Sequence, residues 1–181
     1  MKRRKKYEER VADLLAEHGF EFAREHVVDF QCVDSQTDDG DGRIRARVDF
    51  LLIGNGVVVI VEVDEQQHAY GRFYESCDGS RMTRIHESWA LDGNTMDVIF
   101  VRYCPNGIWI DSNGDERSVS RHARETKLVK LLREALGSKR GEEVSMSRLR
   151  IMYVYYNMDS ELGMPVVVAQ MPDTLRECCV W

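Results

Sequence analysis

Three carboxylates stand where carboxylates are costly. Asp49 lies inside the run Val48-Asp49-Phe50-Leu51-Leu52, and Glu62 and Asp64 end the run Val57-Val58-Val59-Ile60-Val61-Glu62-Val63-Asp64. Gly54-Asn55-Gly56 joins the two runs and reads as the turn of a β-hairpin. Runs this apolar are expected as strands buried on both faces, where a carboxylate must be paired or bind a metal. Residues two apart leave a strand on one face, so Glu62 and Asp64 are expected to point together. The hairpin folds Asp49 back toward them. A cluster of oxygen ligands of this kind suits Mg²⁺ or Mn²⁺ and points to metal-assisted hydrolysis.

The elements that must position these groups are legible in the periodicity. Residues 5–18 predict a helix, with Val11, Leu14, Leu15 and His18 at helical spacing and Gly19 as the stop. Glu8 shares the face of Val11 and Leu15 and so points toward the sheet, whereas Glu9 is rotated toward water. An extended stretch is expected over 20–30, an exposed loop over 34–42, and the two central strands over 43–53 and 57–64. A helix over 75–91, a strand over 98–103 stopped by Pro105-Asn106-Gly107, and a helix over 119–136 follow. Two late strands, 149–156 and 166–170, complete the order α-β-β-β-α-β-α-β-β. The expected class is α/β, a mixed central sheet flanked by helices, with antiparallel hairpin pairing and a crossover helix.

The 181 residues fit one domain, with the core over about 5–136 and an extension over 137–181. No apolar run is long enough to span a bilayer, and no membrane association is expected. The basic start, Met1-Lys2-Arg3-Arg4-Lys5-Lys6, is followed by a charged amphipathic segment rather than a signal-peptide core, so an intracellular location, cytoplasmic or nuclear, is expected. Five scattered cysteines with no Cys-x-x-Cys pair fit reduced thiols better than a disulfide framework. A zinc site using Cys32, Cys77, Cys104 and a histidine stays open, although its spacing matches no standard zinc module. The net charge of −6 argues against a nucleic-acid-binding surface everywhere. One basic groove suffices for an enzyme, and positive charge gathers near Arg81, Arg84, Arg121 and Arg124.

His68 follows Asp64 by four residues and returns to the cluster if the chain turns there. Its intrinsic pKa suits a general base or a phosphate contact; the alternative is a surface histidine. Arg81, on the following helix, either contacts phosphate or pairs with Glu75 or Asp78. Arg102, in an apolar strand, either crosses to a carboxylate or lines the groove.

Helix, hairpin and third strand, with Asp49 in Arg47-Val48-Asp49-Phe50 and Glu62 in Val61-Glu62-Val63-Asp64, resemble the PD-(D/E)XK, or restriction-endonuclease-like, nuclease superfamily. The string Ile60-Val61-Glu62-Val63-Asp64-Glu65-Gln66-Gln67-His68 is similar to the Glu-x-Asp-x-x-x-His form of the branch related to very short patch repair endonucleases. The resemblance covers roughly residues 5–136. It implies a restriction-endonuclease-like core in which Asp49 and Glu62 ligate metal directly, the Val63 carbonyl adds an oxygen and Glu8 serves as an outer ligand. It further implies that Asp64 and His68 take part in catalysis and that Gln67, Arg81 and Arg84 contact nucleic acid. Asp64 stands where the superfamily usually carries lysine, and an acid cannot stabilise phosphate as a cation does.

The expected function is therefore a Mg²⁺- or Mn²⁺-dependent DNA endonuclease, with DNA as partner and no small-molecule cofactor. A homodimer is one assembly open to a chain this small. Two rivals stay open: a non-catalytic nucleic-acid-binding or assembly protein that retains the fold, and a metal-dependent ribonuclease.

Overall fold

The computed structural model describes residues 6–29, 45–65, 73–111, 113–137, 149–155, 158–159, 164–165 and 179–180. The exposed loop expected at 34–42 and the strand expected at 166–170 lie outside them. In chain order the elements are α1 (Lys6–Glu17), β1 (Ala23–Asp29), β2 (Arg45–Gly54), β3 (Val57–Val63), α2 (Phe73–Leu91), β4 (Asp97–Tyr103), β5 (Ile108–Ile110), β6 (Glu116–Ser118), α3 (Arg121–Gly137), β7 (Leu149–Val154), β8 (Met158–Asp159), β9 (Met164–Pro165) and β10 (Cys179–Val180). The main sheet has six strands in the order β1-β2-β3-β4-β7-β10. β1, β2 and β3 are antiparallel neighbours, and β3, β4, β7 and β10 run parallel.

Strand β3 explains the layering. Val57, Val59 and Val61 pack with Val11 and Leu15 of α1 and Leu128 and Leu132 of α3. Val58 and Ile60 pack on the other face with Met82 and Ile85 of α2. Period-two alternation thus feeds two cores, and helices cover the sheet on both sides. The two turns that matter follow their residues. Asn55 and Gly56 both take positive φ, 47° and 77°, as the favoured two-residue hairpin turn requires. Asn55 Nδ2 donates to the Leu136 carbonyl at 2.9 Å, so the hairpin tip satisfies an end carbonyl of α3. Gly19 (φ 72°) closes α1, and Phe20 N donates back to the Leu15 carbonyl at 3.0 Å. Arg10 ties α1 to α3 through two hydrogen bonds to Glu125, at 2.9 and 2.8 Å.

Ser120 caps α3: its hydroxyl accepts from Ala123 N at 3.2 Å. Ser120→Ala is expected to cost about 1 kcal/mol, read as a shift in the urea midpoint with unchanged slope.

The expected α/β class and mixed sheet are present. Three pieces were not anticipated. Beyond Pro105-Asn106-Gly107 the chain forms the β5–β6 hairpin instead of simply stopping, β8 pairs with β9, and β10 adds to the sheet beside β7. Among the described residues no helix is long and apolar enough to cross a membrane.

Candidate functional site

The site forms where β2 and β3 part. Their pairing runs from Gly54↔Val57 to Phe50↔Val61 and stops there, although both strands continue. Val63 N donates to Asp49 Oδ2 at 2.9 Å, so a side chain takes the place of a strand carbonyl. Strict alternation breaks at the same point: Val48 belongs to the core under α2, Phe50 to the core under α1 and α3. Glu25, on the facing strand β1, takes a left-handed φ of 50°, a conformation costly for a residue with a Cβ. Both strands therefore deform around Asp49. The gap lies at the carboxyl ends of the parallel strands β3 and β4, the end at which open α/β sheets receive ligands.

Five acids gather here in two groups. Glu8, Glu25 and Asp49 each offer a carboxylate oxygen, and the three oxygens lie within 4.8 Å of one another. Glu8 is buried, as the face it shares with Val11 and Leu15 requires. The other group is Glu62 and Asp64, both buried and both continuing the Val58, Ile60 face. Asp49 links the two, because its charge also acts on Glu62.

Four arginines answer them. Arg24 lies 3.7 Å from Glu8 and 3.0 Å from Glu9, with its guanidinium 5.7 Å from the centre of the Phe50 ring. Arg47 meets Glu25 at 3.1 Å. Arg102, only 2 % exposed, grips Asp64 at two points, Nε to Oδ2 at 2.6 Å and Nη2 to Oδ1 at 2.9 Å. Arg81, from α2, brings Nη2 to 3.0 Å from Glu62 Oε1 and also donates to the Arg47 carbonyl. The Arg81–Glu62 contact is not aligned as a hydrogen bond. Glu62 Oε1 is thus a buried oxygen with no hydrogen bond among the described residues.

The expected trio is rearranged by this geometry. Asp49 and Glu62 stay neighbours, but both Asp64 oxygens face Arg102, so Asp64 sits as a counter-ion rather than as an open chelator. Arg102 takes the first of its two expected courses and crosses to a carboxylate. Glu8 joins Asp49 as its helix face implies. Glu25 was not singled out from the sequence; its contribution depends on the φ of 50°, for which no residue type gave a signal. Val63 contributes its N–H to Asp49. Arg84 is exposed one turn beyond Arg81. His68 and Gln67 lie outside the described residues, as does Cys32 of the suggested zinc set, whose Cys104 is buried at the end of β4.

Burial pushes the Glu62 carboxyl up to about 7, with the charges of Asp49 and Asp64 adding to the rise and those of Arg81 and Arg102 opposing it. A carboxyl raised in the fold holds its proton longer folded than unfolded. Stability is therefore fully present below the unfolded value of 4.5 and falls as pH rises toward about 7. The loss is expected to reach up to about 3 kcal/mol for the ion-free protein. Denaturant titrations at pH 5 and pH 8 in EDTA check it, and Glu62→Gln should flatten the difference.

Compared with known proteins, the chain matches no family model, no curated protein and no solved structure.

Proposed function

We propose that this chain is a divalent-metal-dependent DNA endonuclease with a restriction-endonuclease-like core, hydrolysing phosphodiester bonds with water. The observation that carries the reading is the meeting of Glu8, Glu25 and Asp49 oxygens within 4.8 Å at the gap between β2 and β3. Like charges held this close repel, which Arg24 and Arg47 offset in the ion-free protein and a divalent cation would offset further. The donor set is all carboxylate, which fits a hard ion such as Mg²⁺ or Mn²⁺ rather than zinc. Glu62 Oε1, buried and met among the described residues by Arg81 without a hydrogen bond, supplies a further oxygen. The left-handed Glu25 supports the same reading, since backbone strain of this kind collects at functional sites.

Asp49, Glu8 and Glu25 would hold the ion, and Glu62, on which the Asp49 charge acts, would be its further ligand. Bound there, the ion supplies charge neutralisation at the scissile phosphate and an acidified water near neutral pH. Asp49 is held at the gap by the Val63 N–H, which donates to its Oδ2. The Asp64–Arg102 pair fixes the end of β3 against β4, where Glu62 and Arg102 are register partners. Arg81 brings positive charge to the side of Glu62 that faces α2.

The rival reading, a nucleic-acid-binding protein without catalysis, is favoured by one observation. The position where such nucleases carry lysine holds Asp64, already closed against Arg102. Incubation with supercoiled plasmid, linear duplex, single-stranded DNA and RNA in Mg²⁺, Mn²⁺ or EDTA separates the readings. Nicking or linearisation of plasmid in either metal and not in EDTA is expected. Binding of DNA without cleavage in both metals would favour the rival, and cleavage confined to RNA would make the chain a ribonuclease.

A further inference from the structure

Cleaving a phosphodiester builds negative charge on the phosphate in the transition state, and a fixed cation aimed at that charge is worth a large factor in rate. The residue two after Glu62 is acidic, and Arg102 is spent on it at 2.6 and 2.9 Å. Arg24 and Arg47 are engaged on the Glu8 and Glu25 side of the gap. Arg81 differs from all three. It reaches the site from α2 rather than from a strand, donates to the Arg47 carbonyl, and makes a single carboxylate contact among the described residues, without hydrogen-bond alignment. Its guanidinium thus occupies the place beside Glu62 Oε1 that an incoming cation would claim.

Resting on the metal-centre reading above, we infer that Arg81 is a placeholder for the divalent ion and becomes the phosphate-contacting residue when the ion takes Glu62. Two cations at one oxygen repel, so ion binding at Glu62 Oε1 weakens the Arg81 contact there. The displaced guanidinium remains on α2 beside the same gap, with fork-like donors that match two phosphate oxygens. One arginine thereby lowers the cost of the buried Glu62 charge in the ion-free protein and serves the substrate in the loaded one. The arrangement couples exposure of the phosphate-binding cation to the presence of the ion.

The two roles give opposite signs on one substitution. Mn²⁺ affinity is measured by calorimetry on the full chain for wild type, Arg81→Ala, Arg81→Lys and Glu62→Gln, with single-turnover plasmid cleavage at saturating Mn²⁺ alongside. Arg81→Ala is expected to bind Mn²⁺ about 2- to 5-fold more tightly, the strength of a partly exposed ion pair. The same variant should cleave about 100- to 1000-fold more slowly, as when one transition-state donor is removed. Arg81→Lys should recover part of the rate, which also guards against a folding defect in the alanine variant. Unchanged or weaker Mn²⁺ binding by both Arg81 variants would overturn the placeholder role, and normal cleavage by Arg81→Ala would overturn the phosphate contact. Wild-type protein whose Mn²⁺ binding is absent or indifferent to Glu62→Gln would instead sink the metal-centre reading, and this inference with it.

Discussion

Glu62→Gln and Asp49→Asn should each lower Mn²⁺-dependent plasmid cleavage at least about 100-fold while leaving the fold intact. The two variants are chosen because loss of activity then cannot be assigned to unfolding. Asn at 49 keeps an oxygen that can accept from Val63 N, so the end of β3 retains its 2.9 Å anchor. Gln at 62 removes a carboxylate whose ionisation the surroundings oppose, its pKa being pushed up to about 7 chiefly by burial. At pH 8 in EDTA this variant should be more stable than wild type, by up to about 3 kcal/mol. Higher stability combined with lost cleavage is the signature of a group kept for function at a cost to folding. Equal cleavage by wild type and Glu62→Gln would remove Glu62 from the chemistry.

The second large effect falls on the fold. Arg102→Met should destabilise the protein by about 3–5 kcal/mol, because it leaves Asp64 charged, buried and without its two-point partner. The cost belongs to the orphaned charge and not to the arginine itself. Arg102→Met combined with Asp64→Leu should therefore recover most of the loss, since replacing a buried pair by apolar groups is often neutral or better. The pair of variants is scored by denaturant midpoint, with Mn²⁺ binding measured on the double variant. Retained Mn²⁺ binding would fit Asp64 as a counter-ion. A folded double variant that no longer binds Mn²⁺ would return Asp64 to the ligand set.

How far the sequence alone reaches can be judged from particular residues. The unbroken apolar run of β3, the spacing of Val11, Leu14 and Leu15 in α1, and Asn55-Gly56 at the hairpin are local signals, and each produced its element. The shared face of Glu62 and Asp64 follows from strand geometry and holds. What sits opposite them does not follow from strand geometry. Arg102 meets Asp64 because β4 lies parallel to β3 with Glu62 and Arg102 in register, a fact of tertiary pairing. Glu25 was illegible for a related reason: it reaches Asp49 through a left-handed residue and a break in alternation, neither of which any single residue type announces. Strands β5 and β6 have three residues each, and β10 two described residues, too short for periodicity to register.

The central claim is that the carboxylates at the β2–β3 gap hold one divalent cation. Crystals soaked in Mn²⁺ and measured at the manganese absorption edge test it most directly. The account predicts an anomalous peak bonded to Asp49 and to Glu8 or Glu25, with Arg81 withdrawn from Glu62. A map with no peak at that gap, and Arg81 still against Glu62 Oε1 at saturating Mn²⁺, would contradict it.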